Sequence, residues 1–359
     1  MNILLISNMY PSAKHPGFGV FIKNFEEAIT ERGANFNLAV IRGKQTSKFR
    51  KIATYIAFTL RIYKLIITKK YDVVYVHYLA HSLLPLIPIS PFIKFKLIVN
   101  AHGEDLLPRT PVERAIFRIN KKLIQKSALI VVPSDFFKSI AASLFPSKKI
   151  YVSPSGGINL RIFYPSHEKT SEDFFTLGYV SRIDPGKGWD TLLDAIHELT
   201  IRAPDLKLKV LFVGNGTQLT EFHQRVRKLN LFDKVNYLGP VDQKDLPALY
   251  RKFDAFIFPT KLPESLGLVG LEALACGIPA ICSSIGGIQT YMQNGINGFT
   301  FPPGNFIELA HSIEKYLKLC PPDKLAMKKA ARDTATRYDR DVIADQMIKT
   351  IRDTIIYEN

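Results

Sequence analysis

The chain has 359 residues, 47% of them hydrophobic, which is enough for two domains with full cores and too much for one simple domain. Its formal net charge of +16 lies entirely in residues 1–167, which contain 24 Lys and Arg against 8 Asp and Glu, whereas residues 168–359 contain 24 of each kind. The three cysteines lack metal-ligand spacing and fit a reducing cytoplasm, and the prolines and histidines of the longest uncharged run, 73–93, exclude a transmembrane helix there.

Strands and helices alternate along the first half of the chain. Residues 2–7 form a predicted strand with no basic segment before it, so we expect no signal peptide. Further strands are predicted at 36–41, 72–76, 96–100, 129–132 and 150–152, with helices beginning near Val20 and covering 114–126. This alternation predicts a parallel sheet, in which ligands bind at the carboxyl ends of the strands.

The loop after the first strand contains Gly17 and Gly19 and leads into the helix that begins near Val20. Glycine lets the backbone approach a ligand closely, and the N-terminus of a helix favours an anion. The same pattern occurs in many doubly wound sheets, so a purely structural turn stays open. Because residue 22 is Ile22, the dinucleotide fingerprint G-x-G-x-x-G is incomplete and a dehydrogenase is disfavoured.

Residues 44–70 carry eight basic side chains and no acidic one, interleaved with apolar residues such as Phe49, Ile52, Ile56 and Leu60. This composition resembles a helix at a membrane interface more than a core helix. Nucleic acid, an anionic membrane and a polyanionic acceptor are all partners that such charge suits. The alternative is an ordinary amphipathic helix whose charges are solvated.

His102 follows the carboxyl end of the predicted strand 96–100, in the stretch AHGED, where Gly103 permits a tight turn. A histidine here suits a hydrogen bond to a sugar hydroxyl, but it also suits a cap on the loop. The residues alone leave both roles open.

The second half repeats the alternation after a polar stretch, and we place the domain boundary near His167. Strands are predicted at 177–181, 208–213, 235–238, 255–258 and 278–282, and helices at 189–201, 217–229, 245–253, 266–276 and 339–357. A second parallel sheet is therefore expected.

Arg182 and Lys187 bracket a Pro-Gly turn after the predicted strand 177–181, so both cations can converge on one anion. Fixed cations stabilise the negative charge of such an anion without a metal. The sequence contains no metal-ligand motif. Two solvated surface cations are the alternative.

Glu264 and Glu272 lie eight residues apart, the first at the predicted start of the helix 266–276 and the second two turns into it. At ~1.5 Å per residue their backbones would lie about 12 Å apart, wider than the roughly 5 to 9.5 Å of the carboxyl pair in a glycoside hydrolase. Carboxylates accept hydrogen bonds from sugar and ribose hydroxyls, and the N–H groups of residues 265–268 suit a diphosphate. Together they predict a nucleotide-sugar site, with a capping Glu264 and a solvated Glu272 as the alternative.

The stretch PESLGLVGLEALACGIPAICSSIGG resembles the E-x7-E signature of family-four glycosyltransferases, which are retaining enzymes of the GT-B architecture. Leu266 stands where that signature has Gly, and Gln289 where it has Glu, which puts a role for that acid in doubt. Arg182 and Lys187 match the family's R-x-x-x-x-K-G pattern, and AHGED matches H-G-x-D. PSGGINLRIFYP is similar to its hinge stretch, with Asn159 in place of an acid.

The resemblance implies roles for individual residues. Catalytic positions would be His102, Arg182, Lys187 and Glu264, with a weaker case for Asp105. Gly19 would face the donor's distal phosphate and Val241 would lie near the base pocket. The full donor-binding set would be Gly19, Arg182, Lys187, Val241, Glu264, Ser265, Leu266, Gly267, Leu268 and Glu272.

The family implies an α/β fold of two Rossmann-like parallel-sheet domains facing a cleft. Residues 1–167 would bind the acceptor, residues 168–338 would bind a UDP-, GDP- or ADP-sugar, and a helix in 339–359 would cross back to the first domain. We expect a retaining glycosyltransferase, without cofactor or metal, that acts on a lipid-linked or saccharide acceptor in cell-surface polysaccharide assembly. Its place would be the cytoplasmic face of the cell membrane, as a peripheral protein.

Two other functions stay open at this point. A GT-B epimerase or phosphorylase would use the same nucleotide-sugar site. A nucleic-acid-binding protein would use the basic first half, but the sequence shows no recognised binding module and that function leaves Glu264 and Glu272 unexplained.

Overall fold

The computed structural model describes residues 1–15, 17–44, 47–92, 95–165 and 174–357. The chain forms two compact units: unit 1 consists of Met1–Gly156 and Arg340–Asn359, and unit 2 consists of Gly157–Asp339. The predicted boundary near His167 lies outside the described residues.

Unit 1 contains a six-stranded sheet in which every neighbouring pair is parallel. The strand order is β2-β1-β3-β4-β5-β6. Consecutive strands therefore lead outward in both directions from the boundary between β1 and β3, which is the switch point of the sheet. The strands are β1 (Asn2–Tyr10), β2 (Asn35–Arg42), β3 (Val73–His77), β4 (Lys96–Asn100), β5 (Leu129–Val132) and β6 (Ile150–Val152).

Helices cover both faces of this sheet: α1 (Val20–Thr30), α2 (Lys48–Thr68), α3 (Pro111–Lys126) and α4 (Asp135–Leu144). Alternate residues of the buried strands enter different cores, so that Leu4 and Val74 pack on one face while Ile3 and Val73 pack on the other. α3 begins three residues before its predicted start because Thr110 and Glu113 form a capping box around the helix N-terminus.

Unit 2 contains a second six-stranded parallel sheet, with the order β12-β11-β10-β7-β8-β9. Its switch point lies between β7 and β10, so the loops that follow these two strands emerge side by side at the carboxyl edge. The strands are β7 (Phe175–Val180), β8 (Leu208–Val213), β9 (Val235–Gly239), β10 (Ala255–Phe258), β11 (Ala280–Ser283) and β12 (Gly298–Phe301).

The helices of unit 2 pack on both faces of its sheet. They are α5 (Trp189–Arg202), α6 (Leu219–Lys228), α7 (Leu246–Tyr250), α8 (Leu268–Ala275), α9 (Phe306–Lys318) and α10 (Pro321–Thr336). The predicted α/β fold with two parallel sheets is confirmed, although the alternation did not predict α4, β12, α9 or α10.

The helix α11 (Arg340–Tyr357) packs on unit 1 after the chain has completed unit 2. Met347 and Ile351 enter the core that contains Ile3. The Arg32 guanidinium lies 2.6 Å from the Asp345 carboxylate and donates a 2.8 Å hydrogen bond to the carbonyl oxygen of Asp341. Within the described residues, no helix is both long and apolar enough to span a bilayer.

Candidate active site

The loops at the switch point of unit 2 contain most of the predicted site residues. Arg182 and Lys187 lie between β7 and α5, and Glu264 lies between β10 and α8. Since α8 begins only at Leu268, Glu264 is outside the helix, and the expected position at its mouth was wrong. The helical rise therefore applies to only part of the interval from Glu264 to Glu272, so it does not by itself give the distance between their backbones.

Lys187 and Glu264 form an ion pair between the two loops. The Lys187 Nζ atom lies 2.7 Å from Glu264 Oε1, and the Thr260 hydroxyl donates a 3.1 Å hydrogen bond to the same oxygen. The two charged side chains are 15% and 19% exposed, which leaves each accessible from the carboxyl edge of the sheet. An ammonium group has three N–H donors, so Lys187 can hold Glu264 and an anionic ligand at the same time.

Arg182 makes a separate ion pair. Its Nη1 atom lies 2.8 Å from Asp184 Oδ2, and the arginine side chain is 70% exposed. The backbone N–H of Thr217 donates a hydrogen bond to Asp184, which together with the Arg182 charge keeps the pKa of Asp184 below its usual value. The two cations thus have different carboxylate partners in this structure.

Close backbone packing fixes the shape of the Arg182–Lys187 loop. The hydroxyl of the buried Tyr179 lies 3.0 Å from the carbonyl oxygen of Arg182 and 3.3 Å from that of Lys187. Gly188 follows with a φ of +72°, and a Cβ atom there would lie 1.8 Å from the carbonyl oxygen of Pro259. Only glycine permits this contact, which brings the loop after β7 against the end of β10.

The start of α8 has the predicted residues in different environments. Leu266, where the family signature has Gly, is fully buried in the core with Leu271 and Ile288. Gly267 is the N-cap, with a φ of +82° and no side-chain cap. Ser265 lies two residues before Gly267, and Leu268 is the first helical residue. Because α8 begins at the carboxyl edge of the sheet, after β10, the free backbone N–H groups of its first turn face that edge, as an anion requires.

Glu272 is buried on α8, with only 7% of its surface exposed, so the alternative of a solvated face residue was wrong. The Tyr250 hydroxyl donates a 3.0 Å hydrogen bond to its Oε2 atom. Burial raises the pKa of Glu272 to about 7.

Val241 lies two residues beyond β9, which is two strands away from β7 in the sheet.

In unit 1, His102 follows β4 and meets a second histidine at the end of the neighbouring strand β3. His77 ends β3, and its Nδ1 atom lies 3.0 Å from His102 Nε2. Burial lowers the pKa of His102 to about 3 and holds the pKa of His77 well below its usual value, so both rings are neutral near pH 7. One ring donates and the other accepts, while His77 Nε2 is buried without a hydrogen-bond partner among the described residues.

The loop around His102 is held by Asp105 and lined by aromatic rings. Asp105 accepts hydrogen bonds from the backbone N–H groups of His102 and Leu79, both at 2.9 Å, and burial raises its pKa to about 6. These bonds give Asp105 a positioning role in the loop. The rings of Tyr78 and Phe21 lie 4.5 and 4.8 Å from His102.

Gly19 is the N-cap of α1, two residues before Phe21, and a Cβ atom there would lie 2.9 Å from the backbone of Met9 and Tyr10. Its φ of +73° also requires glycine. The glycine loop thus packs directly on the end of β1, at the same edge as His102.

Sequence patterns missed three polar residues of these sites: Asp184, Thr260 and His77. The available signal was their position, since each lies at or just beyond the carboxyl end of a strand beside a switch point.

Gln289 donates a 3.2 Å hydrogen bond to Ser284 and so acts within its own loop. Among the described residues, no group of three or more His, Cys, Asp or Glu side chains could hold a metal ion.

The helix α2 has apolar residues on two opposite faces. Phe58 and Ile62 are buried in the core of unit 1. Phe49, Ile52, Ile56 and Leu60 are 57–86% exposed on the other side. The prediction of an interfacial rather than a core helix therefore describes only one of the two faces.

Both halves of the chain match sequence models of glycosyltransferases. Residues 162–334 match the model described as "Glycosyl transferases group 1", and residues 20–157 match "Glycosyltransferase Family 4". A D-inositol 3-phosphate glycosyltransferase from Kribbella flavida is 28% identical over 221 residues, 58% of this chain and 51% of the relative, so the match spans about half of that relative's length. The corresponding protein of Corynebacterium aurimucosum is 25% identical over 315 residues, 80% of this chain and 73% of the relative.

Solved structures share the fold over nearly the whole chain. A sucrose-phosphate synthase from Thermosynechococcus elongatus superposes with a TM-score of 0.80 at 21% identity, covering 98% of each chain. HepE from Anabaena, in complex with UDP, gives a TM-score of 0.78 at 21% identity and covers 98% of this chain and 100% of its own. At such identities the likeness establishes the fold alone.

Proposed function

The chain belongs to the family-four glycosyltransferases of the GT-B architecture, and we propose that it transfers a sugar from a nucleoside diphosphate to an acceptor with retention at the anomeric carbon. The observation that carries the proposal is the Lys187–Glu264 ion pair at the switch point of unit 2. It combines a cation for a diphosphate with a carboxylate for a sugar hydroxyl, at the edge where open parallel sheets bind ligands.

The proposed roles follow from the contacts of each side chain. Lys187, Arg182 and the N-terminus of α8 at Gly267 would bind the diphosphate and stabilise the charge that develops on it. Glu264, oriented by Thr260, would accept hydrogen bonds from the sugar, and Glu272 would reach the ribose. His102 would meet the acceptor or donor sugar as a neutral imidazole, and the leaving phosphate would help to deprotonate the acceptor hydroxyl.

UDP-glucose is the first donor to test, because HepE was solved with UDP and with UDP-glucose. The experiment measures thermal stabilisation by UDP-, GDP- and ADP-glucose, since a ligand at a hundred times its Kd adds ~2.7 kcal/mol to stability. Glu264→Ala should weaken binding of the effective donor about 10- to 100-fold, as expected for loss of a hydrogen bond to a charged group. No stabilisation by any nucleotide sugar would contradict the proposal.

For the acceptor we propose a lipid-linked sugar, with the protein attached peripherally to the cytoplasmic face of the membrane and acting in cell-surface polysaccharide assembly. The exposed apolar face of α2 supports this, because its helix carries Lys48, Arg50, Lys51, Arg61 and Lys64 and no acidic residue. Each basic residue near an anionic leaflet contributes about 1 kcal/mol.

Vesicle flotation tests the membrane attachment. We expect binding to anionic but not to neutral vesicles, weakened by salt and by the combined change of Arg50, Lys51, Arg61 and Lys64 to Glu. Recovery in the soluble fraction under every condition would eliminate membrane attachment while leaving the donor site untouched.

A soluble acceptor is the second candidate, favoured by the names of the inositol-phosphate relatives. Release of nucleoside diphosphate can be compared with D-inositol 3-phosphate and with a lipid extract as acceptors. If D-inositol 3-phosphate stimulates this release and the lipid extract does not, the acceptor is a cyclitol phosphate and not a lipid-linked sugar.

A further inference from the structure

Tyr250 and Glu272 are buried neighbours from two elements of unit 2. Tyr250 ends α7, and Glu272 is the fifth residue of α8. The tyrosine hydroxyl donates a 3.0 Å hydrogen bond to Glu272 Oε2, and the two residues are 0% and 7% exposed. Among the described residues this hydroxyl is the only hydrogen-bond partner of the Glu272 side chain, so Oε1 is left for a ligand.

Three aromatic rings hold the ring of Tyr250 in place. The ring centroids of Phe163, Phe253 and Phe256 lie 6.0, 5.8 and 5.6 Å from that of Tyr250, each in an edge-to-face arrangement. This packing fixes the direction of the ring and therefore the position of its hydroxyl. A phenylalanine would fill about the same volume, so the packing does not account for the hydroxyl.

Helical geometry directs Glu272 toward the first turn of α8. The Cα–Cβ bonds of an α-helix tilt toward its N-terminus, and Glu272 lies only ~6 Å along the axis from Leu268. The carboxyl is therefore close to the turn at which the diphosphate would bind. A ribose attached to that diphosphate is within reach of Oε1.

The charge of Glu272 decides what Oε1 can do. A carboxylate accepts hydrogen bonds from ribose hydroxyls on both of its oxygens, whereas a protonated carboxyl gives up part of this capacity to its own O–H. Burial raises the pKa of Glu272 to about 7, and the hydrogen bond from Tyr250 opposes this shift because it stabilises the ionised form. The tyrosine thus helps to keep the carboxyl ionised near neutral pH.

The titratable groups that neighbouring elements bring to α8 keep a constant charge in this range. Arg251 of α7 and Arg332 of α10 act on Cys276 at the end of α8, and their own charges are fixed. Burial raises the pKa of the Cys276 thiol to about 12, and it also raises the pKa values of Cys282 in β11 and Tyr291 after it. The strand β10, Ala-Phe-Ile-Phe, has no titratable side chain.

We propose that Tyr250 is a positioning residue of the donor site: its hydroxyl occupies Oε2 of Glu272 and presents Oε1, as part of a carboxylate, to the ribose hydroxyls of the nucleotide. The inference rests on the proposed function and deepens it, because it assigns ribose recognition to a pair of side chains rather than to Glu272 alone.

Isothermal titration with UDP, GDP and ADP from pH 5.5 to 9 tests the pair. Wild-type affinity should rise as pH passes about 7, because the carboxyl loses its proton there. Tyr250→Phe should move this rise to higher pH, so that binding is about 10-fold weaker at pH 7 and less than about threefold weaker at pH 9. The nucleotide phosphate titrates near pH ~6 in every sample, so the differences between variants report on the protein.

Two further variants serve as controls. Tyr316→Phe is matched to Tyr250→Phe, since Tyr316 is 1% exposed in the same unit and donates a 3.0 Å hydrogen bond to the carbonyl oxygen of Asp254. Glu272→Gln replaces the carboxyl by a group that does not titrate. In that background Tyr250→Phe should no longer shift the pH dependence of binding, because the tyrosine acts through the carboxyl.

The outcomes separate this inference from the proposed function. A pH shift that Tyr250→Phe causes, and that is absent from Tyr316→Phe and from the Glu272→Gln background, supports the inference. Equal effects of the two tyrosine variants, or a shift that persists alongside Glu272→Gln, overturns it. Wild-type binding that Tyr250→Phe leaves unchanged at every pH refutes the inference alone, whereas a wild type that binds none of the three nucleotides contradicts the proposed function as well.

Discussion

Lys187 and Arg182 carry the same charge at the same edge of unit 2, but their surroundings differ. Lys187 is 15% exposed and holds Glu264, whereas Arg182 is 70% exposed and holds Asp184. An exposed ion pair contributes ~0–1 kcal/mol to stability, while removal of a cation leaves a poorly hydrated carboxylate without its partner.

Substitution of the two cations should therefore separate stability from turnover. We expect Arg182→Ala and Lys187→Ala each to lower kcat by about 10²–10³, more than Glu272→Ala does, because they meet charge that develops in the transition state. Only Lys187→Ala should also lower the free energy of unfolding by more than ~1 kcal/mol. Steady-state kinetics and urea unfolding give the two quantities, and a strict requirement for added Mg²⁺ after EDTA treatment would contradict the assigned role.

Glu272 should make stability depend on pH. Because its pKa is raised to about 7 by burial, the folded protein keeps a proton that the unfolded chain releases near its ordinary pKa. The resulting stabilisation amounts to up to ~3 kcal/mol. It is fully present below the pKa of the unfolded chain and is lost as pH rises through 7.

The measurement compares wild type with Glu272→Gln by urea unfolding from pH 4 to 8. The free energy of unfolding of Glu272→Gln should increase relative to that of the wild type as pH rises. Glu221→Gln, which removes an exposed carboxylate from the same unit, controls for the loss of one charge. A difference between wild type and Glu272→Gln that stays constant with pH would refute the buried, protonated carboxyl.

At the scale of elements, the loop after β7 depends on one close backbone contact. Gly188 and Gly239 both have φ near +70°, but a Cβ atom at Gly188 would lie 1.8 Å from the Pro259 carbonyl oxygen, while Gly239 has open space around it. We expect Gly239→Ala to cost ~1–2 kcal/mol from backbone strain alone and Gly188→Ala to cost more.

Donor binding distinguishes the two glycine variants further. Gly188→Ala should also weaken donor binding, because the Lys187 loop must move, and Gly239→Ala should not. Equal losses of stability and affinity in the two variants would argue against the contact with Pro259 as the element that sets the loop.

The alternation of elements was predictable because buried strands such as Val73–His77 are continuous apolar runs. The strand β12 was not predicted, because its sequence Gly-Phe-Thr-Phe lacks the continuous apolar run that made the equally short β5 and β10 recognisable. The motifs identified Lys187, Glu264 and His102, but the side chains that meet them depend on tertiary register. The Gly186 carbonyl accepts a 2.7 Å hydrogen bond from Lys261 N–H, and His77 pairs with Asn100 across β3 and β4. Neither relation is contained in sequence spacing.

For the whole molecule, the division into two units predicts local effects of core mutations. Met347 on α11 is buried in the core that contains Ile3, so Met347→Ala should destabilise unit 1 by ~2–5 kcal/mol. Hydrogen exchange should become faster in β1 and α1 but not in β7 or β10. Uniformly faster exchange in both sheets would mean that the units unfold as one.

The position of α11 has a consequence for synthesis on the ribosome. Unit 2 is continuous in the chain, whereas the core of unit 1 takes Met347 and Ile351 from a helix that is translated only after unit 2. At ~5–20 residues per second, the intervening 183 residues of Gly157–Asp339 occupy roughly 10 to 35 s, during which Ile3 and Leu5 await part of their packing. We therefore expect nascent chains stalled before residue 340 to show a protease-resistant unit 2 and a cleavable unit 1, with resistance of unit 1 appearing only once α11 has left the exit tunnel.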